Sequence, residues 1–145
     1  MSQLLMLAAV ADRNQPLVVD ALARARTEFP DATIDLALLS GVDGGPVREG
    51  PITFWPVKVR LFEVPRPKGP LATLQHVAAI NLNSRRRAAA AHRSAEVRRL
   101  AGQADVIISL STPTDRAALR LGRRSSIPLV AGMNAALAAR RRGEW

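Results

Sequence analysis

The chain has 145 residues, of which 48% are hydrophobic and none is cysteine. This length and apolar content predict one globular domain over residues 1–145, with enough apolar material for a core. The lack of cysteine excludes disulfide bonds, thiol nucleophiles and cysteine-ligated metal sites. His76 and His92 are too few and too far apart in sequence to suggest a zinc site, so we expect no metal. We expect no cofactor either.

No apolar run approaches the ~18–20 residues that a membrane span requires. The longest run, at 4–11, has no basic residue before it and no small-residue cleavage pattern after it, unlike a signal peptide. We therefore expect a cytoplasmic protein.

The positive charge lies in the second half of the chain. Residues 1–70 hold eight basic and eight acidic residues, whereas residues 71–145 hold thirteen arginines against four acids and so account for the net charge of +9. This asymmetry indicates an acidic partner or an anionic membrane surface. The alternative is that the excess of arginine reflects an arginine- and alanine-rich composition and has no function.

In chain order, the first elements are a strand, a helix and a second strand. The apolar run 4–10 predicts a strand buried on both faces. Pro16 suits the first turn of a helix, which should end near 29–30 before a proline. Residues 33–39 predict the second strand, and together these elements form a right-handed βαβ unit with parallel strands.

The middle of the chain alternates breaks with regular elements. Four glycines mark 40–51 as a loop. The apolar pattern then predicts a third strand near 57–64, with an extended lead-in from residue 52. After a proline-rich break at 65–70, residues 71–101 predict a helix over most of their length, with 81–84 as the place where an interruption would fall.

The last part of the chain predicts two further strands and two helices. Residues 105–110 predict a buried fourth strand, and Thr112 and Asp115 resemble a capping box that starts a helix running to about residue 123. A fifth strand at 127–131 follows, and a final helix after 132–134 should end in the arginines 140–142. This alternation predicts an α/β three-layer sandwich with a Rossmann-like, mainly parallel five-stranded sheet.

Ligands of open parallel sheets bind at the carboxyl ends of the strands, where the strand order reverses. If the strand order is 3-2-1-4-5, the loops at 11–14 and 109–114 flank that point, and 132–134 lies on the same edge. Backbone N–H groups at the helix starts and polar side chains could hold a phosphate or sugar hydroxyls there. The candidate ligand-binding residues are Asp12, Arg13, Asn14, Ser111, Thr112, Thr114 and Asn134.

These loops also have a simpler explanation. Asn14, Thr112 and Asn134 are explained by helix capping alone, which any such fold needs. Asp12 is the one candidate catalytic base, and no nucleophile–base pair can be assembled from the spacing. The dinucleotide motif G-x-G-x-x-G is absent after the first strand. The sequence therefore leaves the existence of an enzymatic activity open, and a flavodoxin-like domain that binds a small phosphorylated ligand at 111–114 is a further alternative.

An arginine-rich segment at 85–99 is the main candidate for partner contact. Only Glu96 opposes its arginines, which point to several sides of a helix and so cannot all be buried. A protein partner, a second copy of the chain or an anionic membrane surface would suit this segment. Nucleic acid is less favoured, because this half has no aromatic residue before Trp145 for base stacking. The candidate contact residues are Arg85, Arg86, Arg87, Arg93, Arg98 and Arg99.

Two segments resemble the acceptor-side domain of GT-B glycosyltransferases. Residues 5–26, with the loop Asp12-Arg13-Asn14-Gln15-Pro16, are similar to the opening strand, loop and helix of that domain, and 104–111 with the following helix resembles a later strand and helix. In this family the second Rossmann-like domain holds the nucleotide sugar. The family's glycine-rich loop and catalytic histidine have no counterpart in the chain.

The resemblance implies a glycosyltransferase-like acceptor-side domain that is inactive alone and works with a partner chain or a second copy. A lipid-linked acceptor in an anionic membrane would suit the basic second half. The alternative function is a non-enzymatic binding or scaffold protein whose arginine-rich helix contacts nucleic acid or another acidic partner.

Overall fold

The computed structural model describes residues 2–124, 129–131 and 137–140. Seven strands and four helices lie in these ranges. In chain order they are β1 (Gln3–Ala8), α1 (Pro16–Glu28), β2 (Thr33–Ser40), β3 (Val47–Glu49), β4 (Ile52–Lys58), α2 (Gly69–Arg93), α3 (Ala95–Gln103), β5 (Val106–Ser109), α4 (Thr112–Arg124), β6 (Leu129–Ala131) and β7 (Leu137–Arg140).

The strands form one mixed sheet in the order β3-β4-β2-β1-β5-β7-β6. Strands β4, β2, β1 and β5 are adjacent in this order and parallel to one another, and they form a parallel block. Strand β3 is antiparallel to β4, and β7 is antiparallel to both β5 and β6. The predicted α/β class is confirmed, whereas the expected five-stranded and mainly parallel sheet is wrong, because antiparallel strands extend the parallel block at both edges.

Helices cover both faces of the sheet. The even-numbered residues of β1, such as Leu4 and Met6, pack with Val18 and Leu22 of α1. The odd-numbered residues, such as Leu5, pack in a second cluster with residues of α2, α3 and α4. Since both faces of β1 are covered, its continuous apolar run is the pattern that a central parallel strand requires.

Helix α1 begins and ends where the prolines predict. Pro16 occupies its first turn, and the buried residues Val18, Leu22 and Ala25 recur at helical spacing. Phe29 follows the last helical residue, directly before Pro30. The predicted helix is therefore confirmed at both ends.

The third predicted strand lies earlier in the chain than expected. Strand β4 occupies the expected lead-in and ends at Lys58, and part of the expected glycine loop forms β3. A turn at Gly50, whose φ of +61° suits glycine, joins β3 to β4. The apolar alternation continues past residue 58, so it does not mark where the strand leaves its partner β2.

Helix α2 runs through 81–84 without a break. Asn83 points its side chain at a neighbouring loop and leaves the helical backbone bonds intact. The interruption falls instead at Ser94, whose hydroxyl oxygen accepts a hydrogen bond from the Val97 backbone N–H at 3.3 Å and caps α3.

The end of the chain departs most from the prediction. The expected final helix is contradicted at Leu137–Arg140, which form β7 against the edge of β5. The expected fifth strand appears as β6, but it pairs with β7 and not with β5. The alanines of this segment favour a helix locally, and pairing with the open edge of β5 overrides that preference. Asn134 lies outside the described residues.

Candidate functional site

The strand order brings two of the predicted ligand loops to the same edge of the sheet. β1 and β5 are neighbours and parallel, so the loops that follow Ala8 and Ser109 leave adjacent strand ends. In the first loop, the Asp12 carboxylate accepts a hydrogen bond from the Asn14 backbone N–H at 2.9 Å. Asn14 does not cap α1, because the capping position belongs to Gln15, which makes no side-chain cap bond.

Arg13 is engaged elsewhere. Its Nε lies 3.0 Å from Glu49 Oε1, and its guanidinium carbon lies 5.7 Å from the centre of the Phe54 ring. These contacts are with β3 and β4, which lie on the opposite side of β1 from β5. The charge of Arg13 is therefore already compensated by a carboxylate.

After the second loop, Thr114 in the first turn of α4 is fully buried and stabilises the fold. Its hydroxyl lies 2.6 Å from that of Ser109, which also donates to Asp115 Oδ1 at 2.7 Å. The same threonine hydroxyl approaches the carbonyl oxygens of Ser111 and Leu7. This cluster ties the start of α4 to β5 and β1. Ser111 is half-buried. Thr112, which is the first residue of α4, is exposed.

The arginines of 85–99 separate into different environments. Arg87 turns inward, where its Nε donates to the Leu39 carbonyl at 3.1 Å and burial lowers the pKa of its guanidinium. Arg98 and Arg99 belong to α3: the first is half-buried, and the second lies 5.7 Å from the centre of the Trp55 ring. Arg85 is exposed. The segment is thus not one continuous basic surface.

Two of these arginines line a groove between α2 and the chain that leaves β4. The groove has a volume of about 520 Å³, and no acidic residue lines it. Because Lys58 is the last residue of β4, the groove lies beside the carboxyl end of that strand. We call it the basic groove; its lining residues are Lys58, Val59, Arg60, Arg86, Ala89, Ala90 and Arg93.

Arg86 is held in a defined position in the basic groove. One of its terminal nitrogens donates to the Arg60 carbonyl at 2.9 Å, and its guanidinium carbon lies 3.8 Å from the centre of the Phe62 ring. Asn83 in turn fixes Phe62, because its amide accepts from the Phe62 N–H at 2.7 Å and donates to the Phe62 carbonyl at 2.9 Å.

The segment 59–68 therefore runs along α2 in the opposite direction, as a strap held by side chains of that helix and, at its start, by Val59, which is buried in the core and donates its N–H to the Ser40 carbonyl at 2.8 Å. Asn83 and Arg86 hold its first half, and His76 Nδ1 lies 2.8 Å from the Pro65 carbonyl oxygen. The strap places the backbone of Arg60 against α2 and so forms one wall of the basic groove. Asn83 was not a candidate from the sequence, where it stood out only as part of the polar stretch 81–84 inside a predicted helix; its burial and its hydrogen bonds to Phe62 are seen only in the fold.

The electrostatics of the basic groove favour an anion. Lys58, Arg60 and Arg93 form no ion pair with any carboxylate of the described residues. Four like charges around one cavity repel each other, and an anion in the cavity would relieve that repulsion. Lys58 and Arg60 belong to the neutral half of the chain, so charge counting along the sequence did not indicate them.

Neither a metal site nor a membrane span emerges from the described residues. Within these ranges, no three histidine or acidic side chains are grouped so as to hold an ion. None of the helices in the same ranges combines the length and the apolar content needed to cross a bilayer.

No protein-family model, curated protein or solved structure matches the chain. The resemblance to GT-B acceptor-side domains stays a prediction.

Proposed function

We propose that the protein is a binding module that holds a phosphate-bearing polyanion in the basic groove. The observation that carries the proposal is the lining: four cations from two separate parts of the chain surround about 520 Å³ without an acidic residue. This volume lies in the range of ~300–1,000 Å³ that is typical of small-ligand sites and exceeds what one phosphate needs. A ligand with several phosphate groups would use all four cations.

Guanidinium groups suit phosphate because their N–H donors match two phosphate oxygens at once. Arg86 is already oriented by the Arg60 carbonyl and the Phe62 ring, so less conformational entropy is lost on binding. Arg93 and Lys58 are exposed and free to close on the ligand. Recognition of a polyanion in the basic groove needs no catalytic residue.

The test compares two arginines of α2 that are both exposed but differ in position. Arg93 lines the basic groove, and Arg85 does not. We expect Arg93→Glu to weaken binding of inorganic tripolyphosphate at least about tenfold, since each tenfold step is about 1.4 kcal/mol and a charge reversal near the ligand costs at least that much. Isothermal titration calorimetry at fixed salt measures the affinity.

Arg85→Glu is the matched control, because it changes the net charge by the same amount. We expect it to change the affinity by less than about threefold, since an exposed charge outside the groove is screened. Equal losses in the two variants would mean that only the overall charge attracts the anion, and the groove would then not be the site.

A second candidate is the acceptor-side domain of a split glycosyltransferase. The order β4-β2-β1-β5 favours it, because this is the Rossmann-like arrangement of four parallel strands with its reversal between β1 and β5. The exposed carboxylate of Asp12 lies at that edge and would bind an acceptor hydroxyl. We expect the chain alone to transfer no labelled sugar from a nucleotide sugar to an acceptor. Measurable transfer by the purified chain would contradict its assignment as the acceptor half.

A further inference from the structure

The first half of α2, residues 69–82, exposes a set of large apolar side chains. None of its residues is buried, and the buried residues of the helix all lie in the second half. At about 1.5 Å per residue, this half is a rod of about 20 Å. Aliphatic side chains exposed to this extent on one helix are unusual unless something covers them. They are Leu71 (70%), Leu74 (69%), Val77 (49%), Ile80 (42%) and Leu82 (41%).

This apolar surface is continuous with the basic groove. Helical residues four apart lie above one another, so Leu82 is followed on the same side by Arg86, and Ala89 by Arg93. Arg85 continues the exposed face beyond Leu82. One side of α2 thus changes from exposed aliphatic residues to exposed cations along its length.

The charges around this surface are almost all of one sign. Residues 58–93 contain eight lysines and arginines but only one acid, Glu63. A second copy of the chain is a poor occupant, because two chains that each carry a net charge of +9 repel each other, and an isologous contact adds no acidic residues beyond those of this surface itself. Nucleic acid would leave the aliphatic residues unused, since they can neither stack on bases nor form hydrogen bonds with them.

We infer that the exposed half of α2 and the basic groove together dock the protein on an anionic lipid bilayer, with headgroup phosphates in the groove. The inference rests on the proposed function, because it names the source of the phosphates. The aliphatic side chains enter the boundary between headgroups and acyl chains, and the arginines meet the negative surface. A bilayer accepts apolar residues spread over a wide arc of the helix, as these are.

Sedimentation with lipid vesicles tests the inference. The intact chain is expected to bind vesicles that contain phosphatidylglycerol and to bind vesicles of pure phosphatidylcholine at least about tenfold more weakly. Leu71→Ser combined with Leu74→Ser should reduce binding to the anionic vesicles at least about tenfold, while leaving the affinity for tripolyphosphate unchanged.

The matched control is Leu17→Ser with Val19→Ser, which removes two exposed apolar side chains from α1. It should leave vesicle binding unchanged. Unaltered vesicle binding by the α2 variant would overturn the inference. The inference would also be overturned if light scattering shows a dimer of the intact chain and a monomer of the α2 variant. A competition experiment in which the chain prefers duplex DNA or an acidic protein over anionic vesicles would overturn it as well.

The failures of the two proposals are distinguishable. Tripolyphosphate binding without vesicle binding overturns the docking inference alone. If the chain binds vesicles but Arg93→Glu leaves the affinity for tripolyphosphate intact, the groove is not the phosphate site, and both proposals fail.

Discussion

Replacing Ala91 by leucine is expected to lower the free energy of unfolding by about 3 kcal/mol, near the upper end of the effects seen for overpacked cores. Ala91 is fully buried, and its cluster contains Ala88 of α2 together with Ala117 and Ala118 of α4. Alanines on both helices let the helix axes approach closely, and the interior has no room for three more carbon atoms. Urea denaturation followed by circular dichroism measures the change.

Ala78→Leu is the control for this prediction. Ala78 lies on the same helix but is exposed, so the same enlargement should change stability by less than about 0.5 kcal/mol. A similar loss in the two variants would mean that helix propensity is responsible and that the packing of α2 on α4 is not.

Replacing Asn83 by alanine is expected to cost about 1–3 kcal/mol of stability and to weaken tripolyphosphate binding several-fold. The variant loses both hydrogen bonds to Phe62, whose ring supports the Arg86 guanidinium in the basic groove. The effect on binding would therefore arise without any change in charge. Denaturation and calorimetry on the same sample measure the two effects.

Asn81→Ala provides the comparison, because Asn81 is an exposed asparagine two residues away. We expect the free energy of unfolding and the affinity for tripolyphosphate to change no more than they usually do on substitution of a surface residue. Full tripolyphosphate affinity in Asn83→Ala would show that the strap does not organise the groove.

The centre of the fold could be predicted because its signals are local. The apolar run of β1, Pro16 at the start of α1 and the buried run of β5 each identify an element without knowledge of its neighbours. The order of the four parallel strands matches the first four positions of the order 3-2-1-4-5 that was assumed for the sheet, in which the chain returns to the other side of β1.

The edges of the sheet could not be predicted because their limits depend on distant partners. Strand β4 ends at Lys58, the last residue paired with β2, although the apolar alternation continues beyond it. Strand β7 has a composition that favours a helix, and its pairing with β5 on one side and β6 on the other makes it a strand.

The basic groove escaped prediction for a similar reason. The sequence indicated Arg86 and Arg93, but it could not place Lys58 and Arg60 beside them, because the strap and α2 meet only in the folded chain. The loops after β1 and β5 were predictable in position, whereas the internal hydrogen bonds of Thr114 and the ion pair of Arg13 depend on tertiary contacts.

The strap has a consequence for how tightly any ligand can be bound. Val59 at its start is buried in the core and donates its N–H to the Ser40 carbonyl, whereas Phe62 is partly exposed and is held by Asn83 of α2, so local opening is expected to begin beyond Arg60. The observed dissociation constant is then the intrinsic one divided by the fraction of molecules in which Phe62 supports Arg86. A ligand that bridges Arg60 and Arg86 would close the strap as it binds, so occupancy and local order would rise together.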